Sequence, residues 1–221
     1  MPDGRLTIAT RRYSSWSMRG WLAVRLAGLD VEEVLIPVSG TGTTEAIRRV
    51  SPNGRVPFLE HRGHRIWESL AIVEYCAELS PGIWPADLAA RTHARAISAE
   101  MHAGFAALRT AMPMNLGRPD FAGRGRTPEA LADIGRIEAL WAETRERFGI
   151  GGPFLFGAAF SGADAMFAPV VTRFLTYRPD LAPATWDYCN AVRRHRLVDE
   201  WYSAVPGESD AWLIPAYENP A

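Results

Sequence analysis

The hydrophobic pattern changes period once along the 221 residues, and that change divides the fold. Before Ser80, short β-like runs alternate with helical ones. Beyond the breaker Ser80-Pro81-Gly82-Ile83-Trp84-Pro85 strand signals stop and only helical periodicity remains. Leu6 to Thr10 reads as a strand. After the polar loop Arg11 to Ser17, the apolar set Trp21, Leu22, Val24, Leu26 and Ala27 makes a helix that Gly28 stops. Val31 to Val38 is a second strand, Ser39 to Thr44 a Gly/Thr-rich loop, and Glu45 to Val50 a short helix. With the segment that follows, the order is β-α-β-α-β-β-α, which implies an α/β domain whose mixed sheet is covered by helices and whose functional loops gather at one end.

That next segment, Ser51 to Ser69, reads SPNGRVPFLEHRGHRIWES. Arg62-Gly63 divides PFLEH from HRIWE, so two short strands can close through a tight turn with Gly63 supplying positive φ. Pro57 suits the opening of an edge strand, where its missing N–H costs no ladder bond, and Val56-Pro57 is a plausible cis bond. The helix Glu68 to Leu79 then starts with an acid–hydroxyl pair, Glu68 and Ser69, expected to face outward beside backbone that a peptide-like ligand can bind. A plain hairpin with no site is the alternative.

In the second half, Asp87 to Met112 reads as one long helix, Pro128 to Phe148 as a second, Ser161 to Leu175 as a third, and Thr185 to Val205 as a fourth with room for an interruption. Pro113 to Thr127 is Gly/Arg-rich and reads as a loop. The expected division is residues 1–81, a linker at 82–90, and an all-α domain at 91–221. Ser161 stands three residues before Asp164, a hydroxyl cap with a carboxylate at N3. The helix it opens, with Ala165, Met166, Phe167, Val170 and Val171, is expected to be the most buried of its domain.

Composition removes several classes of function. Twenty-four basic residues against 25 acids, a formal net charge of -1, give no basic excess for nucleic acid. All the basic residues are arginine, which excludes Schiff-base and Walker-type lysines. The two cysteines, Cys76 and Cys189, form no CxxC and argue against a dithiol, a cysteine-rich zinc site or a disulfide scaffold. No signal-peptide block opens the sequence and no run approaches about 18 apolar residues, so the expectation is a cytoplasmic protein without a membrane partner.

Three motifs taken in order, YSSWSMRGWLAVRLAG, NGRVPFLEHRGHRIWESLAIVEYCAE and FLFGAAFSGADAMFAP, make the chain resemble a cytosolic glutathione transferase over nearly its full length. The serine loop is similar to those of the zeta (maleylacetoacetate isomerase-like) and tau classes. The resemblance implies a thioredoxin-like α/β domain with a mixed four-stranded sheet, an all-α C-terminal domain, glutathione as co-substrate, and a homodimer. It implies glutathione contacts from Glu68 and Ser69, main-chain pairing with the tripeptide at Val56, and the family's cis-proline at Pro57. From the loop after the second strand the family supplies a basic or amide side chain, which has no clear match in Ser39 to Thr44; Thr43 or Thr44 can stand in for it.

In that reading the nucleophile is the bound thiol, and the protein must stabilise it as thiolate. Ser14, five residues before Arg19 and near a helix start that attracts an anion, is the first candidate donor; Ser15 competes with it, and Ser17 can cap the helix. Where the zeta pattern has SSCS, this chain has Trp16 in place of the cysteine, so mixed-disulfide chemistry has no thiol in the first loop. Trp16 is either a wall of the electrophile pocket or a packing residue. Met101, Phe105, Met112 and Met114 can form a soft surface for hydrophobic electrophiles or can be core, and Arg109 can face solvent, pair with an acid, or clamp a substrate carboxylate. His102, on the same helical pattern, reads as a polar face residue or a group at the site's edge. The expected function is a glutathione transferase acting on small hydrophobic or acidic electrophiles. The alternatives are a glutathione-dependent cis–trans isomerase and a non-catalytic glutathione-binding or interaction module.

Overall fold

A computed structural model describes residues 1–38 and 44–220. The N-terminal sheet has the order β2-β1-β3-β4. β1 (Gly4–Ala9) pairs in parallel with β2 (Val31–Ile36) and antiparallel with β3 (Phe58–His61), which pairs antiparallel with β4 (His64–Trp67). Parallel pairing of β1 and β2 needs a crossover, and α1 (Ser15–Ala27) supplies it. α1 lies with α3 (Ser69–Leu79) over Leu6, Ile8 and Leu59. A smaller apolar cluster, which includes Ile47 of α2 (Glu45–Val50), holds Ala9, Tyr13, Val38 and Ile214.

The β3–β4 turn needs positive φ at two successive positions, 49° at Arg62 and 81° at Gly63. This is the backbone twist that a two-residue hairpin loop requires. The Val56–Pro57 bond is cis. Pro57 fits tightly against α1: a Cβ added at Gly20 would stand 2.7 Å from Pro57 Cγ, so only glycine at position 20 allows that approach. Phe58 is fully buried within its own chain, whereas Trp67 is exposed, so only the tryptophan is open to a partner.

The C-terminal half is all helix: α4 (Leu88–Ala103), α5 (Ala106–Ala111), α6 (Pro128–Phe148), α7 (Gly162–Tyr177), α8 (Pro183–Arg194), α9 (Arg196–Ser203) and the short α10 (Pro215–Glu218). α4 begins at Leu88, inside the segment expected to be linker, with Asp87 accepting the Ala90 N–H at 2.8 Å as its cap. The single helix expected over Asp87 to Met112 is two. Gly104 is extended and Phe105 is left-handed at φ 56°, which ends α4; the new helix α5 has its Leu108 N–H satisfied by the Asp133 carboxylate at 2.9 Å. The fourth helical pattern likewise splits, at His195.

α7 is the central helix, buried along nearly its whole length. Asp164 accepts from the Ser161 N–H (2.8 Å) and Oγ–H (2.7 Å), the Leu155 N–H (3.1 Å) and the Tyr188 hydroxyl (3.0 Å). Four donors compensate a carboxylate whose burial alone pushes its pKa upward. α7 also joins the halves of the molecule: its Met166 carbonyl accepts from Arg19 Nε of α1 at 2.8 Å, and the Gly162 N–H donates to the Ile83 carbonyl at 2.7 Å.

Candidate functional site

Between the sheet's loop end and the helical half lies a cavity of about 630 Å³. Its first wall comes from the α1 start, the segment before β3 and the α3 start. Ser14 is the N-cap of α1: its Oγ accepts the Ser17 N–H at 3.2 Å and lies 2.8 Å from Ser17 Oγ, while its own N–H donates to the Thr10 carbonyl at 2.9 Å. Ser15 is buried, and its Oγ is 3.5 Å from Arg173 Nη2 of α7, so the two serines meet different surroundings. Ser14, Ser15, Trp16, Val56, Pro57 and Glu68 all line this cavity, joined by Asn53 and Arg55.

The α3 start has unsatisfied polar capacity. Glu68, at φ 68°, makes no side-chain cap, and its carboxylate instead accepts from Asn53 Nδ2 at 3.0 Å. Ser69 was expected to face outward with it. It is fully buried, because as the first residue of α3 it turns under the helix, and its Oγ has no hydrogen-bond partner. Ser69 is therefore not among the residues that line the cavity, and at this helix start Glu68 is the one that does. Thr43 lies outside the described residues.

The second wall is cationic and aromatic. Trp16 stands half-buried between the guanidinium carbons of Arg19, 4.7 Å from its ring centroid, and Arg109 at 5.2 Å, with the His102 ring edge-on at 5.3 Å. Arg173 is buried and donates Nε to the Met112 carbonyl and Nη1 to the Pro169 carbonyl, both at 2.8 Å. Both terminal nitrogens of Arg19 and Nη1 of Arg109 are buried without a partner. Burial lowers all three pKa values, that of Arg173 to about 10; the charge of Arg109 lowers both others, and that of Arg173 lowers Arg19 further. Among these causes the only opposing carboxylate is Asp133, acting on Arg109. Three guanidiniums converge, none ion-paired with a carboxylate among the described residues, and an arriving anion supplies the opposing charge.

The third contribution is the chain's end. Ile214 and Tyr217 line the cavity, the Ile214 N–H donates to Tyr13 Oη at 3.3 Å, and Tyr13 donates to the Glu218 carboxylate. Asn115 Nδ2 donates to the Tyr217 carbonyl at 2.9 Å and to Glu218 at 2.8 Å, and the Glu208 carboxylate accepts the Arg11 and Arg12 N–H groups.

The profile of the family described as "Glutathione S-transferase, N-terminal domain" matches residues 13–79, which span the serine loop, the cis-proline and the α3 start. The chain belongs to the glutathione S-transferase superfamily. Among curated proteins it is 28% identical over 201 residues to the probable maleylacetoacetate isomerase 1 of Drosophila melanogaster, covering 84% of this chain and 73% of that one. It is also 28% identical to the maleylacetoacetate isomerase of Mus musculus, over 83% of this chain and 84% of the relative. Among solved structures, a Burkholderia glutathione transferase homologue with bound glutathione superposes with TM-score 0.70 at 19% identity, over 93% and 99% of the two chains. The maleylacetoacetate isomerase of Anaeromyxobacter dehalogenans, with bound dicarboxyethyl glutathione and citrate, gives 0.65 at 24% identity over 96% and 99%. These structural likenesses show the fold.

Within this glutathione S-transferase superfamily fold, Met101, Phe105 and Met112 belong to the core and not to the cavity wall. The α4–α5 break turns Phe105 inward, and Met112 presents its carbonyl to Arg173, so Met114 is the methionine that lines the cavity. Arg109 and His102 are at the cavity. Arg173, Asn53 and the terminal Ile214 and Tyr217 are additions; for Arg173 the available signal was a charge set among Val170, Val171 and Phe174. Cys76 and Cys189 are buried with thiols pushed up to about 12, which leaves both unreactive. Among the described residues no cluster could hold a metal ion, and no helix is long and apolar enough to cross a membrane.

Proposed function

We propose that this protein binds glutathione along the first wall and directs its thiolate onto an acidic, conjugated electrophile held against the second, as a glutathione-dependent cis–trans isomerase of the maleylacetoacetate isomerase type. The observation that carries the reading is the cavity face of half-buried Arg109 and fully buried Arg173, neither of which is ion-paired with a carboxylate among the described residues. A purely hydrophobic electrophile would leave that charge uncompensated.

The first wall suits the tripeptide. The start of α3 meets a carboxylate, Glu68 meets an ammonium, and the Val56 main chain meets extended peptide. Ser14 donates to sulfur at the start of α1, whose dipole favours negative charge. A free thiol titrates near about 8.5, so this stabilisation sets the fraction of nucleophile at neutral pH. Addition of thiolate to the alkene forms a C–S bond and moves the π pair toward the conjugated carbonyl. The former double bond then rotates, the pair returns and thiolate leaves, so atoms balance and glutathione is regenerated. Arg109 and Arg173 stabilise the negative charge on the carbonyl and carboxylate side.

Trp16 favours transfer as a second reading, because it fills the position of the zeta-class cysteine with a large ring. Calorimetric titration with glutathione, paired with an ultraviolet scan of thiolate between pH 5 and about 9, tests the shared step. Saturable binding with a thiol pKa below that of free glutathione is expected. Binding without that shift moves the weight to a non-catalytic module. A two-fold dimer, with Trp67 in its interface, is part of the proposal, and light scattering checks it.

A further inference from the structure

Ser17 lies outside the cavity, fully buried in the first turn of α1, yet its hydroxyl is tied on both sides. Its Oγ accepts the Ala9 N–H at the end of β1 at 3.0 Å and lies 2.8 Å from Ser14 Oγ. Ser14 Oγ already accepts the Ser17 N–H at 3.2 Å. A hydroxyl has one hydrogen and two acceptor lone pairs. When the hydrogen between the two oxygens belongs to Ser14, Ser14 offers the cavity only a lone pair, which repels a thiolate. When it belongs to Ser17, Ser14 accepts twice from the same neighbour, both its lone pairs are filled, and its own hydrogen has nowhere to go but the cavity. Ser15 has no such arrangement, since its oxygen has only the long contact to Arg173.

We propose that Ser17 is a positioning residue: anchored by the Ala9 N–H, it donates to Ser14 when an anion is bound and makes the Ser14 hydroxyl an obligate donor to sulfur. Only a hydroxyl rotation is involved, and no proton changes owner. The chain of donors runs from the β1 main chain through Ser17 and Ser14 to the ligand, and each acceptance strengthens the next donation. This rests on the glutathione reading above.

The test is a cycle of Ser14→Ala, Ser17→Ala and the double variant, with Ser17→Cys as a substitution that keeps volume while weakening the donor. The pH titration of bound thiolate is read by ultraviolet absorbance, and S-methylglutathione affinity serves as a measure of binding that needs no thiolate. Ser17→Ala leaves the backbone cap to Ser14 in place. Its thiolate fraction at pH 7 is expected to fall about three- to tenfold, with Ser17→Cys between it and wild type and S-methylglutathione affinity within about twofold. The double variant is expected to titrate like Ser14→Ala alone, because Ser17 acts through Ser14. An unchanged titration in Ser17→Ala, or effects of the two serines that add, overturns the relay. Wild type that fails to bind glutathione overturns the underlying reading, and the relay with it.

Discussion

The two walls of the cavity are built by different means. The first is local: a helix cap, a tight turn, a cis-proline and a helix start, each set by a few neighbouring residues between Ser14 and Ser69. The second is assembled from a distance, with His102 from α4, Arg109 from α5, Arg173 from α7 and Ile214 from the C-terminal segment converging on Trp16 and Tyr13. The local wall presents main chain and hydroxyls, which suit a peptide. The assembled wall presents charge and aromatic surface, which suit a small acid. Division of labour between them is therefore a statement about which variant damages which substrate.

The largest expected effect is on the first wall. Ser14→Ala should lower turnover about a hundredfold or more with every electrophile, while calorimetric glutathione affinity changes only a few-fold. If Ser15→Ala gives that loss and Ser14→Ala does not, the sulfur donor is Ser15. Next is the second wall. Arg109→Gln should lower kcat/KM for a carboxylate-bearing electrophile about tenfold to a hundredfold and leave a neutral aryl halide nearly unchanged. Equal losses on both would collapse the distinction between the walls. The same variant removes one of three converging charges, so a melting scan should show no loss of stability.

The local wall was legible in the sequence for the reason that it is local. The Arg62-Gly63 turn, the end of α1 at Gly28, the Ser161–Asp164 cap and the serine loop are short patterns whose physics is complete within a few residues. The assembled wall was legible only in part. The helical period over Asp87 to Met112 continues through Gly104 and Phe105, and nothing in that period reveals that Phe105 turns left-handed to let Asp133 start a new helix. That break decides that Arg109 reaches the cavity while Met101, Phe105 and Met112 pack inside. Arg173 was hidden by its own helix, whose apolar sequence reads as core on every side. The AWLIPAYENPA segment is too apolar to trail in water, and Ile214 is buried. Its landing on Tyr13 depends on Asn115 and Glu218, about a hundred residues apart in sequence.

Smaller effects sharpen the third contribution. Truncation after Ser209 removes Ile214 and the bonds to Tyr13 and Asn115 and should cost about 1–3 kcal/mol by chemical denaturation. Unchanged melting would mean that the segment only rests on the surface. The smallest effect is the response to acid. Burial holds His61, His93, His102 and His195 below their ordinary 6.5. The unfolded chain therefore binds these protons first, and stability should be full above about pH 6.5 and decline as pH falls through the lowered folded values. His102→Gln should flatten part of that decline, and a melting series across the range reads it.

The most direct measurement of the central claim is turnover of a cis-configured maleylacetoacetate-type acid with glutathione present in amounts far below the substrate. The two walls acting as proposed predict many turnovers per glutathione, a trans product and no accumulated thioether. Product limited to the glutathione supplied, recovered as a thioether, or no product at all, would contradict it.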